Sequence, residues 1–339
     1  MKHTTPLLEV RNLSVDFVNP GRPPARALEN VAFQLKQGEM LGIVGESGCG
    51  KSTLMLSLLR LLAPNGRIVA GEIIFEGQDL LDLSESEMNS IRWNGIAMIF
   101  QGAMNALNPV RQVGDQIAEA IRKHYPGSDK ITTDRRVSEL LELVGVNANR
   151  RSQYPHQFSG GMRQRAMIAM ALACNPQIVI ADEPTTALDV MIQAQILNLL
   201  SELRDKLGLA VLFVTHDLGV VAELCDTMLV MYGGVVAEYA DVDTIFNQPR
   251  HPYTQELLKA FPDISHATAI EQLTSIPGYP PRLDALPAGC RFAPRCPVAF
   301  DQCAVAQPPL YSLNDKRAHQ ASCFLAINPD PKGTLRENL

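Results

Sequence analysis

Gly45-Glu46-Ser47-Gly48-Cys49-Gly50-Lys51-Ser52 fits G-x-x-x-x-G-K-[ST] without a mismatch and directly follows the apolar run LGIV. Glycines let a backbone curl so that successive N–H groups and a helix N-terminus face an anion, Lys51 can reach the β and γ phosphates, and Ser52 can ligand Mg2+. The alternative is a glycine-rich turn before an ordinary helix. Further on, IVIADEP ends an apolar strand in Asp182 and Glu183. Asp182 can hold Mg2+ directly or through water, while Glu183 can polarise an attacking water; otherwise the pair is a solvated acidic turn. His216, after LAVLFVT, can hydrogen-bond a γ phosphate or serve as a plain polar cap. Gln101, after IAMIF, can ligand Mg2+ or water, or be only a loop amide.

The elements that must position these residues are legible from pattern. LLEVRNLSVDF, ALENVAFQLKQG and MLGIVGES read as strands, rich in branched and aromatic residues and closed by turn formers. Helical spacing runs from Lys51 to Leu62, so the strand-to-helix transition falls at Gly45 to Thr53. Residues 102 to about 172 read as a helical insert broken by Pro109, Pro126 and Pro155. QIVIAD and LAVLFVTHD, separated by a helical pattern over Ala194 to Leu207, give the rhythm of a parallel sheet with crossover helices. The core is therefore α/β. After about residue 246 the pattern loosens and 13 of the 23 prolines follow, which predicts a separate extension that does not continue the same sheet.

Composition narrows the classes. The 339 residues suffice for about two domains, and 46% hydrophobic with 19% charged residues is ordinary globular usage. With 30 basic against 36 acidic residues the net charge is −6, which disfavours a non-specific nucleic-acid coat. No apolar run approaches a bilayer span, and the first residues lack the features of a secretory signal, so a cytoplasmic location is expected. Four of the seven cysteines (Cys290, Cys296, Cys303, Cys323) cluster late, which in a reducing compartment points to metal ligation before disulfides.

Phe158-Ser159-Gly160-Gly161-Met162-Arg163-Gln164 resembles the signature loop of ATP-binding cassette (ABC) ATPases, with Phe158 and Met162 replacing the usual leucine and glutamine. The order phosphate loop, Gln101, signature, Asp182-Glu183, D-loop at Ala187-Leu188-Asp189, then His216 is similar to that family's whole motif series over residues 7 to about 245. The resemblance implies a P-loop NTPase with a RecA-like core, an N-terminal antiparallel β subdomain and a helical subdomain, which together make residues 1–245 the ATPase domain. It implies ATP and Mg2+, with Gly45 to Thr53 and Gln101 at the nucleotide, Ser52, Gln101 and Asp182 at the metal, and Glu183 and His216 in hydrolysis. Ser159, Gly160 and Gly161 would offer a hydroxyl, N–H groups and a helix N-terminus to the ATP of a second cassette, paralogue or self. Phe17 is the candidate for stacking on adenine, the alternative being a core phenylalanine. The insert resembles the subdomain that meets coupling helices of membrane subunits, with Gln101 at its hinge.

RHPYTQELLKAFP and PRLDALPAGCRFAPRCP resemble the tail of ATPase subunits in the oligopeptide/dipeptide importer group, which also includes nickel and saccharide systems. That resemblance implies an ATPase powering import of di- or oligopeptides from the cytoplasmic face of the membrane. Two permease subunits, an extracytoplasmic solute-binding protein and no nucleic acid complete the expectation. Nickel or oligosaccharide import is the alternative, followed by a soluble non-transport ABC ATPase. Residues 246–339 form the extension. Its C-x5-C-x6-C-x19-C spacing is expected to hold a [4Fe–4S] cluster, with zinc, or unliganded or disulfide-linked thiols, as alternatives, and Arg291 and Arg295 favouring thiolates.

Overall fold

A computed structural model describes residues 5–102, 106–186, 188–260, 276–313 and 319–328. In chain order these form β1 (Leu8–Phe17), β2 (Ala25–Leu35), β3 (Met40–Val44), α1 (Lys51–Leu58), β4 (Gly66–Phe75), β5 (Gln78–Asp79), α2 (Glu85–Ile91), β6 (Ile96–Ile99), α3 (Val113–His124), α4 (Lys130–Leu143) and α5 (Gly160–Ala171). There follow β7 (Ile178–Asp182), α6 (Val190–Leu207), β8 (Ala210–Val214), α7 (Leu218–Leu224), β9 (Thr227–Tyr232), β10 (Val235–Asp241), α8 (Val242–Asn247), α9 (Pro252–Lys259), α10 (Asp301–Val305), β11 (Tyr311–Ser312) and β12 (Gln320–Ala321). They divide into two compact units, one containing Leu35–Met40 and Asp79–Val214, the other Leu8–Gln34, Leu41–Gln78 and the described residues from Thr215 onward. No helix among the described residues is long and apolar enough to cross a membrane.

In the first unit β6, β7 and β8 are parallel neighbours, Ile96 to Ile99 pairing with Ile178 to Ala181 and β7 with Ala210 to Val214. Every residue of β7 and β8 is buried, which is why both read as continuous apolar runs without alternation. The insert is helical as expected. Helix α3 buries Val113, Ile117 and Ile121, spaced by four, and α4 buries Val137, Leu140 and Leu141. Each such side chain contributes roughly 1.5–3 kcal/mol of burial. Asp129 starts α4 by accepting the Thr132 N–H at 2.7 Å.

The second unit holds an antiparallel pair, β1 with β4, within the order β2-β1-β4-β5. It also holds the order β11-β12-β10-β9-β3, in which β3 and β9 are parallel and the remaining neighbours antiparallel. The tail therefore does continue a sheet, contrary to the expectation from its prolines: Gln320 and Ala321 pair with Tyr239 and Glu238. Two-residue strands carry no periodicity, so pattern reading passes over them. Tyr232, Tyr253 and Phe292 interlock beneath this sheet with ring centroids 4.6, 5.1 and 5.4 Å apart.

Two boundaries differ from the sequence reading. Helix α1 stops at Leu58, because Arg60 adopts a left-handed φ of 52° and Leu61 turns outward. Helix α6 begins at Val190, four residues before the apolar pattern, since Val190 and Met191 face solvent.

Candidate functional site

Strand β3, buried at every position, delivers the chain into the phosphate loop, and Gly50 turns it into α1. Gly45 has φ 149°, and a Cβ there would lie 2.2 Å from the Met231 carbonyl oxygen, so only glycine can pass over β9. Gly50 has φ 107°, with a Cβ position 2.8 Å from Leu28 Cδ2. Lys51 is buried, and its Nζ donates to the carbonyls of Gly45 at 2.6 Å and Glu46 at 3.2 Å. Its ammonium is thus folded back over the loop. Ser47, Gly48 and Ser52 are exposed and Thr53 half-buried. First-turn N–H groups of a helix give such a loop its affinity for anions. Cys49 points inward, 2% exposed, its sulfur accepting from Lys51 Nζ at 3.7 Å, and burial pushes its thiol pKa up. Its side chain is packing, not a phosphate ligand. Beside Ser47 and Gly48 opens a cleft of about 740 Å3, also lined by Arg22, Pro281, Arg282 and Asp284.

The first unit assembles a second set of groups. Asp182 ends β7 at 5% exposure. Glu183 takes a positive φ of 45°, held by its N–H donating to the Val214 carbonyl at 2.9 Å. Such a conformation is uncommon for a residue with a side chain. The carboxylate is gripped through Oε2, which accepts from Gln101 Nε2 at 2.6 Å and Thr186 Oγ1 at 3.0 Å. Because the Gln101 amide nitrogen faces Glu183, its amide oxygen is the atom left to meet a cation. Gln101 and Glu183, 82 positions apart in sequence, are thus brought into direct contact. Thr186 was not anticipated; only its place three residues after Glu183 could have suggested it.

Other predicted residues have local structural duties. Ser159 caps α5, its Oγ accepting the Met162 N–H at 3.3 Å, while remaining exposed at the helix N-terminus. Gly160 is half-buried, and Gly161 is buried where a Cβ would stand 2.7 Å from Ile192 Cγ2, so it permits close packing on α6. Phe158 is buried. Asp189 caps α6 through the Ile192 N–H at 3.0 Å. His216 is exposed beyond β8, and the adjacent Asp217 caps α7 by accepting from Gly219 at 2.9 Å and Val220 at 3.2 Å. Phe17 ends β1 opposite Gly66, half-buried against that glycine. Ala187 lies outside the described residues.

The iron–sulfur expectation is corrected. Among the described residues, which include Cys290, Cys296, Cys303 and Cys323, no group of three or more His, Cys, Asp or Glu side chains is placed to hold a metal ion. Neither a cluster nor zinc fits. Cys290 is buried in the apolar core of the second unit, with Cys296 and Cys303 packed against it. Burial pushes the Cys296 and Cys323 thiols up to about 11, and Cys290 upward as well. The arginines expected to favour thiolates are spent elsewhere: Arg291 on Glu29 and the Gly233 carbonyl, Arg295 on Glu46.

Against known proteins, residues 28–186 match the ABC transporter family model, and 237–303 match the oligopeptide/dipeptide transporter C-terminal region. The chain is 50% identical over 321 residues to the probable peptide ABC transporter ATP-binding protein y4tR of Sinorhizobium fredii (strain NBRC 101917 / NGR234), covering 94% of each. It is 47% identical to the dipeptide transport ATP-binding protein DppD of Escherichia coli (strain K12), covering 97% of this chain and 99% of that one. To the oligopeptide transport ATP-binding protein OppD of Bacillus subtilis (strain 168) it is also 47% identical, covering 97% and 91%. Its fold is similar to a dimeric post-hydrolysis structure of the ATP-binding cassette MJ0796 bound to ADP and Pi, with TM-score 0.62, 30% identity, and coverage of 69% of this chain and 98% of that one. Identity of 47–50% over nearly the whole length, with both family models matched in order along the chain, shows that the chain belongs to the ATP-binding cassette ATPases, in the branch that carries the oligopeptide/dipeptide transporter C-terminal region.

Proposed function

We propose that this ATPase powers import of di- or oligopeptides. The observation that carries the peptide reading is the match of 237–303 to a transporter-specific C-terminal region within relatives named for peptide transport. Residues 1–245 are the ATPase domain and 246–339 the transporter-type extension. The loop from Gly45 to Thr53 takes the triphosphate, with Lys51 swinging from its own loop carbonyls to the β and γ phosphates. Ser52, Gln101 and Asp182 would hold Mg2+, which supplies charge neutralisation at the phosphates. Glu183, anchored by Gln101 and Thr186, accepts a proton from the attacking water, and His216 hydrogen-bonds the γ phosphate. Phe17 stacks on the adenine. Ser159, Gly160 and Gly161, with Asp189 of the D-loop, serve the ATP held by a second cassette, so hydrolysis requires two cassettes to close. The helical insert passes that closure to two membrane permeases. A solute-binding protein outside the membrane delivers the peptide, and the ATPase works peripherally on the cytoplasmic face.

The test pairs binding with isolation. Lys51→Ala should weaken ATP binding by at least tenfold in equilibrium titration. Tagged wild-type chain drawn from native membranes should bring two integral membrane subunits and a cassette partner. Unaltered ATP affinity would remove the loop from its role, and isolation free of membrane partners under every nucleotide condition would refute the importer reading.

A further inference from the structure

Groups from the C-terminal region and from the β9–β10 turn converge on the phosphate loop within the second unit. The Tyr253 hydroxyl accepts the N–H of Glu46 at 3.1 Å, and the ring is fully buried. Helix α9 is aimed for this contact at its first turn: His251 Nδ1 accepts the Tyr253 N–H at 3.0 Å, Pro252 opens the helix, and the His251 N–H donates to Glu238. Arg295 grips the Glu46 carboxylate with both Nη atoms, at 2.6 and 3.0 Å. The same guanidinium donates to Tyr232 Oη and to the carbonyls of Ile276 and Pro277, so its orientation is fixed. Its side chain is only 5% exposed. At the far end of the loop the Gly234 N–H donates to the Cys49 carbonyl at 2.9 Å, and Arg291 secures that turn through the Gly233 carbonyl. Glu46 and Cys49 are pinned, and the exposed Ser47 and Gly48 lie between them.

A bidentate arginine–carboxylate pair fixes geometry as well as adding energy, and this one joins a buried guanidinium to a carboxylate that is a quarter exposed. Donors held in place before an anion arrives bind it without a reorganisation cost. We infer that the C-terminal region is a positioning element of the nucleotide site, in which Tyr253 and Arg295 hold the phosphate loop in its anion-binding curl so that ATP affinity depends on the docked tail. This rests on the reading of residues 45–52 as the ATP phosphate loop. It gives the RHPYT and CRFAPRC segments a task that neither metal ligation nor sheet formation explains.

The experiment uses the full chain and a fluorescent ATP analogue. Arg295→Met should raise Kd about tenfold and Tyr253→Phe, which removes one oxygen from a buried ring, about threefold, with Arg295→Lys in between. The KM for ATP should rise by the same factors, exceeding any fall in kcat. In the cycle of Glu46→Gln with Arg295→Met, the double variant should bind no more weakly than the weaker single one. A purely structural tail would lower the melting temperature and leave Kd of the folded protein at the wild-type value, and that result, or additive losses in the cycle, overturns the inference. If Arg295→Met does not fold, Tyr253→Phe decides. Lys51→Ala separates the two readings: normal binding by that variant fails the loop assignment itself, whereas loss there with wild-type Kd in the tail variants fails only the tail inference.

Discussion

Replacing Glu183 by Gln tests the reaction at a single atom. Glu183 Oε2 accepts from Gln101 at 2.6 Å and from Thr186 at 3.0 Å, and an amide oxygen in the same place can accept both. What disappears is the negative charge and the capacity to take a proton. The structural loss is the difference between charge-assisted and neutral hydrogen bonds at a half-buried site, about 1 kcal/mol after solvent screening. Losing a general base costs about 10²–10⁴ in rate, roughly 3–5 kcal/mol at 1.36 kcal/mol per tenfold. The two effects are separable in magnitude. Steady-state phosphate release should fall by at least a hundredfold, while ATP binding and the melting temperature stay near wild type. Light scattering with ATP should show dimer accumulating, since closure proceeds and reopening waits on hydrolysis. Turnover within threefold of wild type would refute the base assignment, and loss of ATP binding would show that the Gln101–Glu183 contact is architectural.

Gly161→Val should destabilise the chain by about 1–3 kcal/mol in urea denaturation, because the new Cβ would stand 2.7 Å from Ile192 Cγ2; adding Ile192→Ala should recover most of that loss. His251 is buried with its pKa lowered to about 4, because desolvation of the charged ring outweighs the pull of Glu238, and its Nδ1 must stay unprotonated to accept the Tyr253 N–H. Its contribution is complete above pH 6.5 and lost as pH falls through 4. Denaturation midpoints from pH 7 to 4 should therefore drop less for His251→Asn, whose amide oxygen can accept the same N–H, than for wild type. An identical drop in both proteins would discharge His251 from that role.

The phosphate loop, the apolar strands and the helical insert were legible in the sequence because each is a local device. Strand burial forces apolar runs, a helix stripe repeats every three or four residues, and a loop that curls around phosphates needs glycines at set positions. Asp182 and Glu183 were legible as the polar end of a buried run. Gln101 could be singled out, yet its bond to Glu183 could not, since the two are joined only after β6 and β7 align. The cysteine cluster misled: close spacing counts thiols near one another along the chain, but the packing of Cys290, Cys296 and Cys303 in an apolar core and the diversion of Arg291 and Arg295 to Glu29 and Glu46 depend on what surrounds them.

Residue type and spacing alone determined which chemistry this chain could perform, because glycine, lysine and carboxylate properties are intrinsic and act within a few neighbours. Tertiary structure alone decided which distant groups serve that chemistry. Arg295 reaches Glu46 across 249 positions and Tyr253 reaches the same residue across 207, contacts that depend on sheet pairing and aromatic packing rather than on any local pattern.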